Sequence, residues 1–234
     1  MPVPDISSSR VRLLVSVRDA AEAALARDAG ADLIDAKDPD RGALGDLPPD
    51  TVRAIAAASG DRLTSAVAGE PQDGRAASAC LAALAGTGVR YLKIAWAPRR
   101  DATGLVLPAG RPVIAVLFAE DGPSGADVPA LAAAGFSGAM IDTRGKDGRR
   151  LTDHLPLPRL AGFAGACQTH GLLSGLAGSL ALDDIPALAA LGPGYLGFRG
   201  GLCGQGDRTG RLDPARIAEA VRRLAAVVPC PEAA

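Results

Sequence analysis

The sequence predicts a single-domain α/β fold, a (β/α)8 barrel, and three observations carry that prediction. Short apolar runs of β type alternate with longer helix-type stretches down the whole chain, and eight such runs can be counted. The length, 234 residues, suits one barrel of roughly 200–250 residues and is short for two domains. Three segments, ARDAGADLID, LAGTGVRYLK and LAAAGFSGAM, share a pattern in which an alanine-rich helix ends in Ala-Gly or Thr-Gly just before a strand. An open doubly wound sheet is the competing arrangement, but no strand runs directly into GxGxxG, so a dinucleotide site has little support.

Taken in order, strand one is expected at 11–17 and is followed by a helix at 19–29, opened by Asp19 and stopped by Gly30. Strand two (33–37) leads to a helix at 50–59 between Asp50 and Gly60, and strand three (63–68) to a helix at 74–85. Strand four covers 91–96. A helix is due next, but PRRDATGLVLPAGRP is rich in proline and glycine, so that helix is expected to be short or missing. Strand five (113–119) precedes a helix at 128–134 ending at Gly135, and strand six (139–143) a helix at 158–170 ending at Gly171. Strand seven (172–176) precedes a helix at 183–191 between Asp183 and Gly192, and strand eight (195–199) a final helix at 214–228 after Asp213. The barrel thus occupies 11–228, between a flexible start (1–10) and a short tail (229–234).

Composition narrows the function. Hydrophobic residues make up 48% and charged residues 22%, enough for a large core and incompatible with wholesale disorder. With 25 Lys plus Arg against 26 Asp plus Glu, no excess positive charge marks a nucleic-acid or membrane surface. The start, MPVPDISSSRVRLLVSV, has no apolar run of signal-peptide or membrane-span length, so a cytoplasmic protein is expected. Cys80, Cys167, Cys203 and Cys230 have neither metal-knuckle nor redox spacing, and His154 and His170 stand 16 apart. No metal and no organic cofactor is therefore expected, nor a disulfide, nor a triad built on histidine. His154 reads as a capping or packing residue, and Tyr91, Trp96 and Tyr195, all within strand runs, as packing groups.

The basic residues are unevenly divided: 22 arginines and only three lysines, Lys37, Lys93 and Lys146. A guanidinium stays charged, whereas a lysine amine can be deprotonated and then serves as a nucleophile toward carbonyls or as a base. All three lysines fall in or just after predicted strands, on the face where barrel enzymes keep their active sites, and none is on a helix. Lys37 closes the run LIDAK, two residues after Asp35, so the two side chains point the same way. Lys93 lies inside YLKIAW. Lys146 follows strand six in MIDTRGK, four residues past Asp142. Clustered, partly desolvated amines repel one another's charge, which lowers their pKa and raises the fraction of free base. Asp35 and Asp142 can also simply neutralise the lysines.

Two glycine-rich loops follow strands seven and eight: SGLAGS (174–179) and FRGGLCGQGDRTGR (198–211). Barrels frequently hold phosphate there, through backbone N–H groups that glycine exposes. The candidate phosphate ligands are Gly178, Ser179, Arg199, Gly200, Gly201 and Arg208, with Arg211 as a further cation. A phosphorylated substrate follows.

Together LLVSVRDAAEAALARDAGADLIDAKDPDRGALG, YLKIAW, MIDTRGKDGRRLTDHL, GLLSGLAGSL and FRGGLCGQGDRTGRL resemble the (5-formylfuran-3-yl)methyl phosphate synthase family, in order and spacing, from residue 11 to the last helix. The resemblance implies a TIM-barrel lyase of methanofuran-type cofactor biosynthesis. Its members join two glyceraldehyde 3-phosphate molecules into the furan aldehyde phosphate, releasing one phosphate and two waters. It implies that Lys37 forms the Schiff base beside Asp35, that Lys93 is the proton acceptor, and that Asp142 and Lys146 assist proton transfer. The sequence departs from the family after strand four, where a segment longer in archaeal members is compressed. The expected partners are a small phosphorylated triose and further copies of the chain, with no nucleic acid and no membrane. A generic Schiff-base aldolase has the same parts, and a non-catalytic phosphometabolite-binding barrel would keep the glycine loops.

Overall fold

A computed structural model of the chain describes residues 10–97, 100–145, 148–204 and 207–227. The expected tail and all but Arg10 of the expected flexible start lie outside the described residues, as does Lys146.

Eight parallel strands close into a barrel in sequence order, β1 pairing with both β2 and β8. They are β1 (Arg12–Val17), β2 (Leu33–Ala36), β3 (Leu63–Val67), β4 (Tyr91–Ala95), β5 (Val113–Phe118), β6 (Gly138–Asp142), β7 (Leu173–Leu176) and β8 (Tyr195–Phe198). Each starts or stops within a residue or two of its expected position. The helices are α1 (Ala20–Asp28), α2 (Pro49–Ala58), α3 (Gly74–Leu84), α4 (Val128–Ala133), α5 (Leu151–His154), α6 (Leu157–Thr169), α7 (Ile185–Ala189) and α8 (Pro214–Ala225).

Local chemistry sets these boundaries. The Asp19, Asp73 and Asp213 carboxylates accept the N–H groups of Glu22, Ala76 and Ala215, satisfying orphan donors at the starts of α1, α3 and α8. Gly30 stands just past α1 at φ +99°, where a residue with a Cβ is strained. Between β4 and β5 the described residues contain no helix, as the prolines and glycines there imply. Two elements differ from expectation. The helix expected at 183–191 opens as a 3-10 turn, Leu182–Asp184, and only Ile185–Ala189 is α-helical; Pro186 sits in its first turn, where a missing N–H costs nothing. The four-residue α5 was not foreseen. It places His154 in a half-buried position with its side chain 7% exposed and its Nε2 4.0 Å from Glu120 Oε1.

The apolar residues form two layers. One lies between strands and helices, where α8 buries Ile217, Ala220 and Leu224 on a single face. The other fills the barrel with inward residues such as Leu14, Leu33, Ile114, Val116, Met140 and Tyr195. Tyr195 fits there because β7 has glycine opposite it: a Cβ on Gly175 would clash with the Tyr195 phenol at its Cζ. The Tyr195 hydroxyl donates to Met140 Sδ at 3.2 Å. This packed floor closes one end of the barrel and leaves the polar inward positions at the other.

Candidate active site

Side-chain alternation sends Ser16, Asp35, Ser65, Lys93 and Asp142 into the barrel, all of them buried. Lys37, one residue past β2, continues Asp35's inward row at the strand's carboxyl end, with its own N–H bonded to the Val17 carbonyl. These polar groups meet in a cavity of about 400 Å³ that opens at the carboxyl ends of the strands. Of the residues expected in the site, Asp35, Lys37, Lys93 and Asp142 line it, and so do Gly178, Ser179, Arg199, Gly200, Gly201 and Arg208. Arg211 is exposed and does not.

The ion pairs cross the barrel. Lys37 pairs with Asp142 of β6 at 3.2 Å, and Lys93 pairs with Asp35 of β2 at 3.0 Å. Asp35 and Lys37 do share a face, but Asp35 neutralises the deeper amine rather than its neighbour. The two lysines thereby differ in access, with the Lys93 side chain 2% exposed and that of Lys37 14%. Burial pushes the Lys93 amine below the usual lysine range; Asp35 and Asp142 oppose that shift, and the nearby Lys37 charge adds to it. Lys93 Nζ also lies 5.6 Å from the centroid of the Tyr195 ring. Asp35 accepts from Ser65 Oγ at 2.5 Å and from Ser16 Oγ at 3.2 Å, and Asp142 Oδ1 accepts the Thr143 N–H at 2.8 Å. One cavity thus presents a buried amine whose pKa burial lowers and a more open one, each with a carboxylate in contact.

The glycine loops form the cavity's other wall. Gly178 has φ +117°, and a Cβ there would come within 2.7 Å of Thr143 Cγ2. Next to it Ser179, at φ +49°, is the one non-glycine residue with positive φ among the described residues. A Cβ on Gly201 would overlap the Leu180 carbonyl oxygen, so the two loops touch backbone to backbone. Arg199 departs from expectation. Its five N–H donors are committed to Glu22 (2.5 and 3.0 Å) and to the carbonyls of Ser16, Arg208 and Gly210. The guanidinium therefore braces the loop after β8 and has no donor left for an anion. The Arg208 side chain has one described hydrogen bond, from Nη2 to the Gly42 carbonyl at 3.1 Å, and it borders the cavity. Sequence reasoning missed Ser16, Ser65 and Glu22. The serines had a faint signal, since small polar residues at inward strand positions are out of place in an apolar core.

Among the described residues no three His, Cys, Asp or Glu side chains are grouped as a metal ion would need, and no helix is long and apolar enough to cross a membrane. Comparison with solved structures returns TIM-barrel enzymes. KGPDC from Streptococcus mutans superposes with a TM-score of 0.64 at 12% identity, over 93% of this chain and 99% of that one. The 3-hexulose-6-phosphate synthase of Salmonella typhimurium does so at 0.62 and 18%, over 92% and 100%. Such distant likenesses establish the fold alone. Sequence relatives are closer. The (5-formylfuran-3-yl)methyl phosphate synthase of Methanococcus maripaludis strain S2 is 35% identical over 90% of this chain and 98% of its own. A Methylorubrum extorquens protein provisionally given the same name is 58% identical over 96% of each. The family model for 4-HFC-P synthase matches residues 13–221, essentially the whole barrel, and the chain belongs to that family.

Proposed function

We propose that the protein is a cytoplasmic lyase, a (5-formylfuran-3-yl)methyl phosphate synthase that condenses two glyceraldehyde 3-phosphate molecules through a Schiff base on Lys37. The observation that carries this reading is the pair of lysines in one cavity, unequal in burial and each in contact with its own carboxylate.

Lys37 is the more open amine and stands at the mouth, where an incoming aldehyde arrives first. Asp142, 3.2 Å from its Nζ, takes up the proton that must leave before the amine attacks the carbonyl. Attack forms the C–N bond, and loss of water gives an imine. The protonated imine draws electrons from the adjacent carbon and acidifies its C–H. Lys93, held neutral more readily than an exposed lysine, accepts that proton. The resulting enamine carbon bonds to the aldehyde carbon of the second triose. Loss of one phosphate, ring closure, dehydration and hydrolysis of the imine complete the balance: two trioses yield the furan, one phosphate and two waters. Backbone N–H groups around Gly178, Ser179, Gly200 and Gly201 hold the retained phosphate, with Arg208 as the side-chain cation, and the departing phosphate needs similar cationic cover, a role we give to Lys146. A cavity of about 400 Å³ is of the size that small-molecule sites occupy.

Incubation with glyceraldehyde 3-phosphate tests the reading. It predicts a furan chromophore and released phosphate in equal amounts. A phosphorylated aldol product without phosphate release would make the protein a generic Schiff-base aldolase instead.

A further inference from the structure

Asp35 has two carboxylate oxygens and three donors. Oδ1 accepts from Lys93 Nζ at 3.0 Å and Ser65 Oγ at 2.5 Å, and Oδ2 accepts from Ser16 Oγ at 3.2 Å. Strand register sets this up, since Ser16 is paired with Asp35 across β1–β2 and Asp35 with Ser65 across β2–β3. The three side chains stand at one level inside the barrel. The other groups facing Lys93 are Lys37 just after β2, Asp142 from β6 and the ring of Tyr195 from β8.

This arrangement bears on what happens when Lys93 loses its proton. A buried carboxylate whose sole donor is an ammonium holds on to that ammonium, because deprotonation would leave it charged and unsatisfied. Two hydroxyls change the balance. We propose that Ser16 and Ser65 are positioning residues for proton transfer: their hydroxyls keep Asp35 satisfied as a carboxylate while Lys93 is neutral, so the amine is free to take a proton from substrate. The catalytic meaning of this inference rests on Lys93 being the proton acceptor, as proposed above; the effect of the serines on the amine does not.

The direction of the effect follows from three states. Removing a hydroxyl destabilises the charged-Asp35, neutral-Lys93 state most, because no ammonium remains to compensate. The Asp35–ammonium pair suffers less, and a pair sharing its proton as neutral acid and neutral amine suffers least. Removal of the last proton from the pair becomes harder, so Lys93 titrates at higher pH. Asp35→Asn acts in the opposite direction, by deleting the charge that retains the proton.

The chain has only three lysines, so protein labelled with 13C at lysine Cε has three such signals, and Lys93→Arg identifies the one from Lys93. Its titration in the unmodified chain, Ser16→Ala, Ser65→Ala, Ser65→Thr and Asp35→Asn tests the inference without reference to turnover. Lys93 should titrate higher in both alanine variants, return toward its original position in the threonine variant, which keeps the hydroxyl, and titrate lower in Asp35→Asn. The acidic limb of kcat should move with it. Ser16 borders the cavity, so Ser16→Ala supplies the measurement should Ser65→Ala not fold. A Lys93 titration unmoved or lowered in the alanine variants overturns the inference. A raised titration in a protein whose unmodified form makes no furan upholds the serine effect and overturns the catalytic role given to Lys93.

Discussion

Glu22→Ala should destabilise the barrel strongly, because it strands a buried guanidinium. Arg199 is 8% exposed and Glu22 13%, and the two form a bidentate pair at 2.5 and 3.0 Å. Glu22 also accepts the Arg18 N–H at 3.0 Å, so its loss frees a backbone donor as well. Removing one partner of a buried ion pair costs about 3–5 kcal/mol. The carbonyls of Ser16, Arg208 and Gly210 remain on Arg199 and favour the lower end, about 3 kcal/mol. For a chain of this size, that lowers Tm by roughly 6–12 °C. The comparison is Arg53→Ala, which breaks a pair with Asp50 whose partners are 53% and 94% exposed and should cost no more than about 1 kcal/mol. Thermal and urea denaturation of both variants beside the parent measure the difference. The same brace shapes the loop after β8, so the Michaelis constant for triose phosphate should rise in Glu22→Ala more than kcat falls. Equal Tm values for Glu22→Ala and Arg53→Ala would refute the reasoning.

Other outcomes follow from the same geometry. Burial pushes Lys93 down, so the amine becomes neutral as pH rises through values below the usual lysine range of about 10.4, and the rising limb of the pH–rate profile should lie there; a limb at the ordinary lysine position would contradict this. Gly175→Ala should cost about 1–3 kcal/mol by overpacking against Tyr195, read by denaturation. Gly178→Val should raise the Michaelis constant for triose phosphate, since that position combines φ +117° with close approach to Thr143; unchanged substrate affinity would remove the loop from the phosphate site. Exhaustive chelation should leave turnover intact, and activity lost and then restored by one specific metal would oppose the proposed chemistry.

The fold was legible because its signals are local. Inward and outward apolar residues alternate along each strand, and capping aspartates and glycine stops fall next to the helices they bound. The short helix α5 escaped because LTDH offers no period within KDGRRLTDHL. The lysine pattern pointed to the cavity, which Lys37 and Lys93 line, since a scarce residue type confined to strands and the turns just after them is visible in sequence. Which carboxylate meets which amine was not legible. Asp35 and Lys37 are neighbours in sequence, yet barrel closure hands Asp35 to Lys93 and brings Lys37 to an aspartate 105 positions away. Arg199 misled for a similar reason: a cation in a glycine loop suggests an anion site, and Glu22, 177 positions earlier, gives no sign that it claims the guanidinium.

Borohydride reduction during turnover tests the central claim most directly, because it converts a reversible imine into a stable secondary amine. With glyceraldehyde 3-phosphate present, peptide mass spectrometry should find a triose-derived adduct on Lys37. Lys37→Arg keeps the charge but cannot form the imine, so it should take up no label and make no furan. Lys93→Arg should still take up label on Lys37 while failing to complete turnover. An adduct on Lys93 or Lys146 with Lys37 unmodified would contradict the assignment of roles. Unlabelled lysines together with normal furan formation by Lys37→Arg would contradict Schiff-base chemistry altogether.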